Sequence, residues 1–389
     1  MQTRKDINNL PLRGVVAVEL GHSVAAPFAG QILGDLGATV IKVEKPGAGD
    51  DARAWGPPFV DGESSCFISL NRNKYSVAVD LKDPVQVKRL RDLIVQRADI
   101  VLQNLRPGTV EKLSLSAHDF WQENNRLIYC NLGAFGRSGP LANRPGYDPL
   151  MQAYGGIMSV TGEEGRPPVR VGVSMIDMAT GMWAVIGVVS ALHERVSSGR
   201  GREVDVSLFE SALSWMTVLV ANYSASGDLP RRLGSGAVIT APYQAFRAKD
   251  GYIVIAAGNS VFFNRMCMAL SHPEWANDPR FLTNEDRLLN KETLAEMIEA
   301  ELGRASTAHW ISSLEDVGVP CAPIQSVDQV LADPQTKALG ILQHSARTNL
   351  TLVGLPISFD GARPGLRHEP PTLGEHTEQV LGADWDHLI

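Results

Sequence analysis

The chain has 389 residues, 44% of them hydrophobic and 20% charged, which suits a globular protein of two domains and excludes a fibre, a disordered chain or a disulfide scaffold. Its formal charge of -7 comes from 43 acids and 36 bases spread along the sequence, so there is neither a basic patch for nucleic acid nor a polybasic membrane anchor. Cys66, Cys130, Cys267 and Cys321 lie far apart with no CxxC pair, and the histidines show no HxxxH spacing, which argues against a metal site and for free thiols in a reducing compartment. The opening MQTRKDINNLPLRG lacks the apolar core of a signal peptide and the acid-free character of a transit peptide, so a cytoplasmic location is expected.

In chain order, GVVAVEL (14–20) reads as a buried strand, followed by a helix with Pro27 in its first turn, an apolar face of Phe28, Ile32, Leu33 and Leu36, and a stop at Gly37. TVIKVE (39–44) and YSVAVDL (75–81) are the next strands. Asp83 and Pro84 open a helix, and DIVLQN (99–104) and RLIYCN (126–131) are strands again. GREVDVSLFES (201–211) gives one more strand entering a long apolar helix near residue 222. Strands alternating with helices predict an α/β fold with a parallel sheet covered on both faces, of Rossmann-like topology. SGDLPRRLGSG (226–236) then reads as a linker, APYQAFRAKDGYIVIAAGN (241–259) as a hairpin turning at 249–251, and the acid- and alanine-rich stretch to about residue 317 as helices. The expected division is a large domain over 1–225 and 331–389 and a smaller α+β domain over 226–330.

Glu44 ends the second strand where a nicotinamide-binding fold places its ribose acid, yet the first turn, GHSVAAP, lacks the GxGxxG glycines that admit a pyrophosphate. GAFGRSG (133–139) has no following Lys-Ser or Lys-Thr and reads as a plain turn. Asp177 is the sole formally charged residue between Arg170 and His193, inside VGVSMIDMATGMWAVIGVVSAL. That run is long enough to span a membrane, but a central aspartate costs several kcal/mol in lipid, so a buried helix apolar all round is expected. On the residues alone, Asp177 reads as its N-cap or as a chemical tool, and capping explains it fully.

Several strings together resemble the class III CoA-transferases, the family of formyl-CoA transferase and carnitine CoA-transferase. They are APFAGQILGDLGATVIKVEKPGAGD (26–50), NRNKYSVAVDLK (71–82), ADIVLQNLRPG (98–108), RPGYDPLMQA (144–153), DMATGMWA (177–184), SGRGREVDVSL (198–208), GVPCAPI (318–324) and LGEHT (373–377). Within that family the small-domain string 242–259 looks most like enzymes that move CoA between succinate and other dicarboxylates.

The resemblance implies a Rossmann-like large domain completed by the C-terminal segment, a small domain, and a ring-shaped chain interlocked with its twin in a homodimer. It implies transfer of CoA from an acyl-CoA to a free carboxylic acid, with coenzyme A as part of the substrate and no permanently bound cofactor or metal. Asp177 falls on the family's nucleophile, and Tyr147 and Asp148 on its active-site loop. Lys45, Lys82, Asn104, Lys112, Gly146, Val24 and Ala25 fall on positions near CoA; Lys45 and Lys112 replace arginines of formyl-CoA transferase, keeping charge but losing the bidentate fork. GSGAV (234–238) matches a glycine-rich active-site loop with fewer glycines. Racemases of the same fold carry histidine in GHD where this chain has GYD, and a phenol of ordinary pKa, about 10, is a poor base at neutral pH. A non-catalytic acyl-CoA binding protein would keep the basic groove but has no use for an isolated Asp177. Arg53, Arg72 and Arg170 are candidates for a distal carboxylate.

Overall fold

A computed structural model of the protein describes residues 10–382. The first part of the N-terminal reading and the last residues of the expected large domain lie outside that range. The chain divides into two compact units. Within the described residues, one runs to Ile157 and adds Arg170–Asp228 and the chain from Gln335 onward; the other is Met158–Val169 with Leu229–Pro334.

The first unit is built on β1 (Val16–Leu20), α1 (Ala25–Asp35), β2 (Thr39–Glu44), β3 (Lys74–Ala78), α2 (Pro84–Arg97), β4 (Ile100–Gln103), β5 (Ile128–Gly133), α3 (Asp148–Tyr154), α4 (Met175–Ser198), β6 (Glu203–Ser207), α5 (Leu208–Trp215) and α6 (Thr217–Ser226). The six strands form one parallel sheet in the order β3-β2-β1-β4-β5-β6. Successive strand residues serve opposite faces. Ala17, Val40, Leu102 and Cys130 pack with α1 and α4, while Val16, Val18, Ile41 and Val101 pack with α2, and this explains the near-continuous apolar runs in the strands. Asp83 caps α2 by accepting from the Val85 amide, with Pro84 at its first position.

The exposed edge of β3 is covered by the C-terminal segment: the Asn73 amide donates to the His368 carbonyl, the Ala78 amide to Thr377 Oγ1, and the Gly374 amide to Ser76 Oγ. That covering removes a free strand edge.

Two elements differ from expectation. The long apolar helix near residue 222 is two helices, α5 and α6, broken at Met216, and α6 buries none of its residues within the chain. The helix over 175–198 is not buried all round. Ile176, Ala179, Ala184 and Val188 face the core, while Met182, Trp183, Ile186 and Val196 on the other face are exposed on the single chain. It is long and apolar enough to cross a membrane by length and composition. Its inner side docks on α1 through Gly181, where an added Cβ would lie 2.8 Å from the Ala25 carbonyl oxygen.

The second unit holds the expected hairpin, β7 (Tyr243–Arg247) and β8 (Tyr252–Ala256), closed by a bond from the Ala248 amide to the Gly251 carbonyl. A third strand, β9 (Cys321–Pro323), pairs antiparallel with β8 and has too few residues to show a period. Phe246, Ile253, Phe263 and Trp310 are buried in its core with helices α7 (Ser260–Ala269), α8 (Lys291–Leu302) and α9 (Thr307–Asp316). Met158–Val169, expected in the large domain, groups here because Glu163 bridges Leu233, the Gly234 amide donates to the Gly162 carbonyl and Arg232 donates to the Arg166 carbonyl. The GSGAV loop is tied to the hairpin through Ala237 N–H to the Tyr243 carbonyl and Ala245 N–H to Ser235 Oγ.

Candidate active site

Because the strands are parallel, their C-terminal ends share one edge of the sheet, where open α/β sheets bind ligands. Lys45 follows β2, Lys82 lies in the turn after β3, Asn104 follows β4, and Lys112 ends a short turn of helix beyond it. The loop from β5 leads to Gly146, Tyr147 and Asp148 at the start of α3. The topology therefore brings to one edge residues that are widely separated in the chain.

Their individual settings differ. Lys45 is exposed and its Nζ donates to Asp51 Oδ1 at 2.9 Å; Lys82 and Lys112 are exposed. Asn104 uses its amide to clamp His22, accepting from the His22 amide at 3.0 Å and donating to the His22 carbonyl at 2.8 Å. Val24 and Ala25 bury their side chains at the start of α1, and the Val24 carbonyl accepts from the Phe28 amide at 2.8 Å, which leaves their amides for any ligand. A Cβ at Gly146 would meet the flexible end of Met151 at Cε and lie 3.0 Å from the Ala134 Cβ, so packing contributes to the choice of glycine there. Tyr147 is exposed.

The loop between β1 and α1 is held from below by charges that sequence reasoning missed. Ser23 sits in the left-handed region at φ 71, and its amide donates to Asp50 Oδ1 at 2.9 Å. Lys42 Nζ lies 2.8 Å from Asp50 Oδ2 and 2.8 Å from Glu19 Oε1, and Lys74 Nζ lies 2.8 Å from Glu19 Oε2. Burial alone would lower the Lys42 ammonium, but Glu19, Asp50 and Glu44 outweigh it and hold it above its ordinary value. Burial brings Lys74 down to about 8 despite Glu19. The signal was available in GVVAVEL and TVIKVE: a charge inside a strand covered on both faces must be paired.

Asp177 is not the cap of α4. The helix begins at Met175, with Ser174 at the N-cap making no side-chain bond, and Asp177 sits in the first turn. The capping carboxylate belongs to Asp148, whose Oδ2 accepts from the amides of Ile176 at 2.7 Å and Asp177 at 3.2 Å. Asp148 Oδ1 accepts from Gln152 Nε2 at 2.6 Å, and Gln152 Oε1 accepts from the Val171 amide at 2.8 Å. Spending Asp148 on the helix leaves the Asp177 carboxylate free. Burial first, and the neighbouring Asp148 charge second, push Asp177 up to about 7. Among the described residues neither carboxylate has a lysine or arginine partner. Such a pair can supply a poorly solvated nucleophile whose charge is destabilised until it forms a bond.

Residues 12–377 match the model of CoA-transferase family III. The chain belongs to that family. It is therefore an enzyme of the class III CoA-transferases, which act on CoA thioesters. It is 37% identical to the human succinyl-CoA:glutarate CoA-transferase over 382 residues, covering 97% of this chain and 87% of the relative. It is 36% identical to a succinate–glutarate CoA-transferase of Agrobacterium fabrum over 380 residues, covering 95% of each. The fold matches the crystal structure of a CAIB/BAIF family protein from Brucella suis with a TM-score of 0.88 at 38% identity, over 98% of this chain and 100% of that one.

Of the arginines considered for a distal carboxylate, two are already engaged in this family III chain. Arg53 pairs with Glu44 and Glu63, and Arg72 with Asp35, all within hydrogen-bonding distance. Arg170 is exposed, and the next residue, Val171, is the one tethered by Gln152.

Proposed function

We propose that this enzyme transfers CoA from succinyl-CoA, or a related dicarboxylyl-CoA, to a free dicarboxylic acid through covalent intermediates on Asp177. The observation that carries the reading is a partly buried carboxylate, raised toward neutrality, free of capping duty and held by its own backbone to Asp148. The carboxylate oxygen of Asp177 attacks the thioester carbonyl, forming a mixed anhydride and expelling CoA thiolate. The thiolate attacks the aspartyl carbonyl, releasing the donor acid and leaving an aspartyl-CoA thioester. The acceptor carboxylate then displaces the thiolate to give a second anhydride, and the thiolate takes the acceptor acyl group and frees Asp177. Each step exchanges one acyl bond for another, so the thioester energy is conserved. Lys45, Lys82 and Lys112 supply positive charge for the CoA phosphates, with Val24, Ala25 and Gly146 offering backbone, while Asn104 holds the His22 turn beside them. Arg170 is the cation proposed for the distal carboxylate.

The substrate class rests on the names of the similar proteins and on that remaining arginine. Hydroxylamine added with succinyl-CoA should convert Asp177 alone to a hydroxamate, read by peptide mass, and no label should form without acyl-CoA. A panel of acyl-CoA donors crossed with free acids tests the substrate. Preference for formyl-CoA or carnitinyl-CoA over every dicarboxylyl-CoA would overturn that part.

The reading includes an interlocked homodimer, supported by the bare apolar faces of α4 and α6, where Trp183, Ile186, Val218 and Tyr223 lie exposed on the single chain. Sedimentation at low micromolar concentration should show one species of twice the chain mass; an active monomer would remove it. Four free thiols suit a reducing compartment, and a cytoplasmic location completes the proposal.

A further inference from the structure

We infer that Gln152 is a positioning residue for the transfer: it fixes the Asp148 carboxylate against the first turn of α4 and thereby sets the charge that Asp177 faces. The inference rests on the reading of Asp177 as nucleophile. Gln152 is fully buried on α3. Its amide joins three segments, because Nε2 donates to Asp148 Oδ1 at 2.6 Å while Oε1 accepts from the Val171 amide at 2.8 Å, and Asp148 in turn accepts from Ile176 and Asp177.

Three N–H donors on one buried carboxylate leave it little freedom to turn away. Removing the Gln152 donor leaves a buried acceptor unpaired and frees the Asp148 carboxylate to rotate away from the first turn of α4. The negative charge beside Asp177 would then weaken. That charge has a chemical use: when Asp177 becomes an anhydride or thioester it loses its own charge, so repulsion present in the free enzyme is relieved as the bond forms.

Other ionisable groups on the elements packed against α4 have other partners or stay neutral. Asp35 on α1 pairs with Arg72, Glu210 on α5 accepts from Ser207 Oγ, and Glu203 and Asp205 on β6 engage Arg137. Burial pushes Tyr129 and Cys130 on β5 up, so they remain neutral. Tyr154 on α3 packs edge-on against Phe135 and Phe209.

The test is the pH dependence of kcat/KM for the wild-type enzyme, Gln152→Met and Gln152→Glu, with succinyl-CoA as donor and glutarate as acceptor. Gln152→Met keeps the volume and loses all three side-chain bonds, the third being from Nε2 to the Val171 carbonyl at 3.4 Å. It should lower kcat about tenfold or more, change KM less than about threefold, and move the acidic limb of the profile down by roughly half a unit to one unit. Gln152→Glu keeps an acceptor for Val171 and, when protonated, a donor for Asp148, so its deficit should be smaller at pH 6 than at pH 8. A general packing role predicts reduced activity with the limb unmoved and a pH-independent deficit. If Gln152→Met does not fold, the pH dependence of the Gln152→Glu deficit decides alone. Wild-type protein labelled by hydroxylamine at Asp177, with both variants following the wild-type profile, overturns this inference and leaves the nucleophile standing; absence of that label overturns the nucleophile first.

Discussion

Two clusters in the first unit bury charge by opposite means. Below the β1–α1 loop, Glu19, Lys42, Asp50 and Lys74 are sealed from solvent, and every carboxylate meets an ammonium at 2.8 Å. At the start of α4, Asp148 and Asp177 share a site in which, among the described residues, neither has a cationic partner. The first arrangement neutralises its charges and fixes a backbone turn. The second satisfies one carboxylate with N–H donors and leaves the other at high energy. Buried charge thus serves architecture where it is matched, and the unmatched charge is the one proposed for chemistry.

The sharpest way to break the comparison is to remove the unmatched charge. Asp177→Asn keeps the shape and should abolish transfer, by about a thousandfold or more, while CoA binding, measured by calorimetry, is retained. The same variant should be more stable than the wild type at pH 8. Asp177 is raised to about 7 in the folded chain, above its ordinary value. Between those two values the native state holds a proton that the unfolded chain has released, so wild-type stability falls as pH rises from about 4 to about 7. The asparagine lacks that dependence, and the gap between the two proteins in urea unfolding should widen over that interval and level off above it. A fully active, deamidation-free Asp177→Asn would end the assignment.

The matched cluster should respond in the reverse sense. Lys42→Met leaves Asp50 without a cation and Glu19 with Lys74 alone, and the cost should be about 3–5 kcal/mol in urea unfolding. Because Asp50 also holds the Ser23 amide, whatever protein folds should bind acyl-CoA more weakly. An unchanged unfolding midpoint would show that the cluster is not structural.

A smaller effect comes from titrating the unmatched site without mutation. Protonated Asp177 is a poor nucleophile, so kcat/KM should fall with a slope near one as pH drops below about 7. A flat profile down to pH 5 would mean that Asp177 keeps an ordinary carboxylate pKa and that Asp148 exerts no useful field on it.

These clusters also mark where the sequence was readable. Strand and helix alternation from Val16 to Ser207 could be read because apolar runs, Pro27, Asp83 and Gly37 are local signals. The role of Asp177 as a cap could be guessed wrongly because its true neighbour, Asp148, approaches from another helix, and nothing within a few residues of Asp177 announces it. Gln152 sits in RPGYDPLMQA without a signal of its own, since a lone glutamine in a helix carries no pattern. Glu19 and Lys42 were legible in principle as charges inside buried strands. The apolar outer face of α4 reads as core because an exposed apolar face and an interior carry the same side chains.

The smallest predicted effect separates two lysines three positions apart. Lys42 is sealed between carboxylates inside the sheet, whereas Lys45 follows the same strand into solvent and pairs with an exposed Asp51. An exposed ion pair contributes roughly 0–1 kcal/mol, so Lys45→Ala should leave the unfolding midpoint nearly unchanged. If Lys45 exchanges Asp51 for a CoA phosphate, KM for the acyl-CoA donor should rise about three- to tenfold with kcat unaffected, and the deficit should shrink as salt screens the wild-type contact. Asp51→Asn releases the lysine from its resting partner and should lower that KM modestly. Equal KM values for wild type and Lys45→Ala at low salt would place the phosphates elsewhere on the sheet edge, leaving Lys82 and Lys112 as the remaining cations proposed for them.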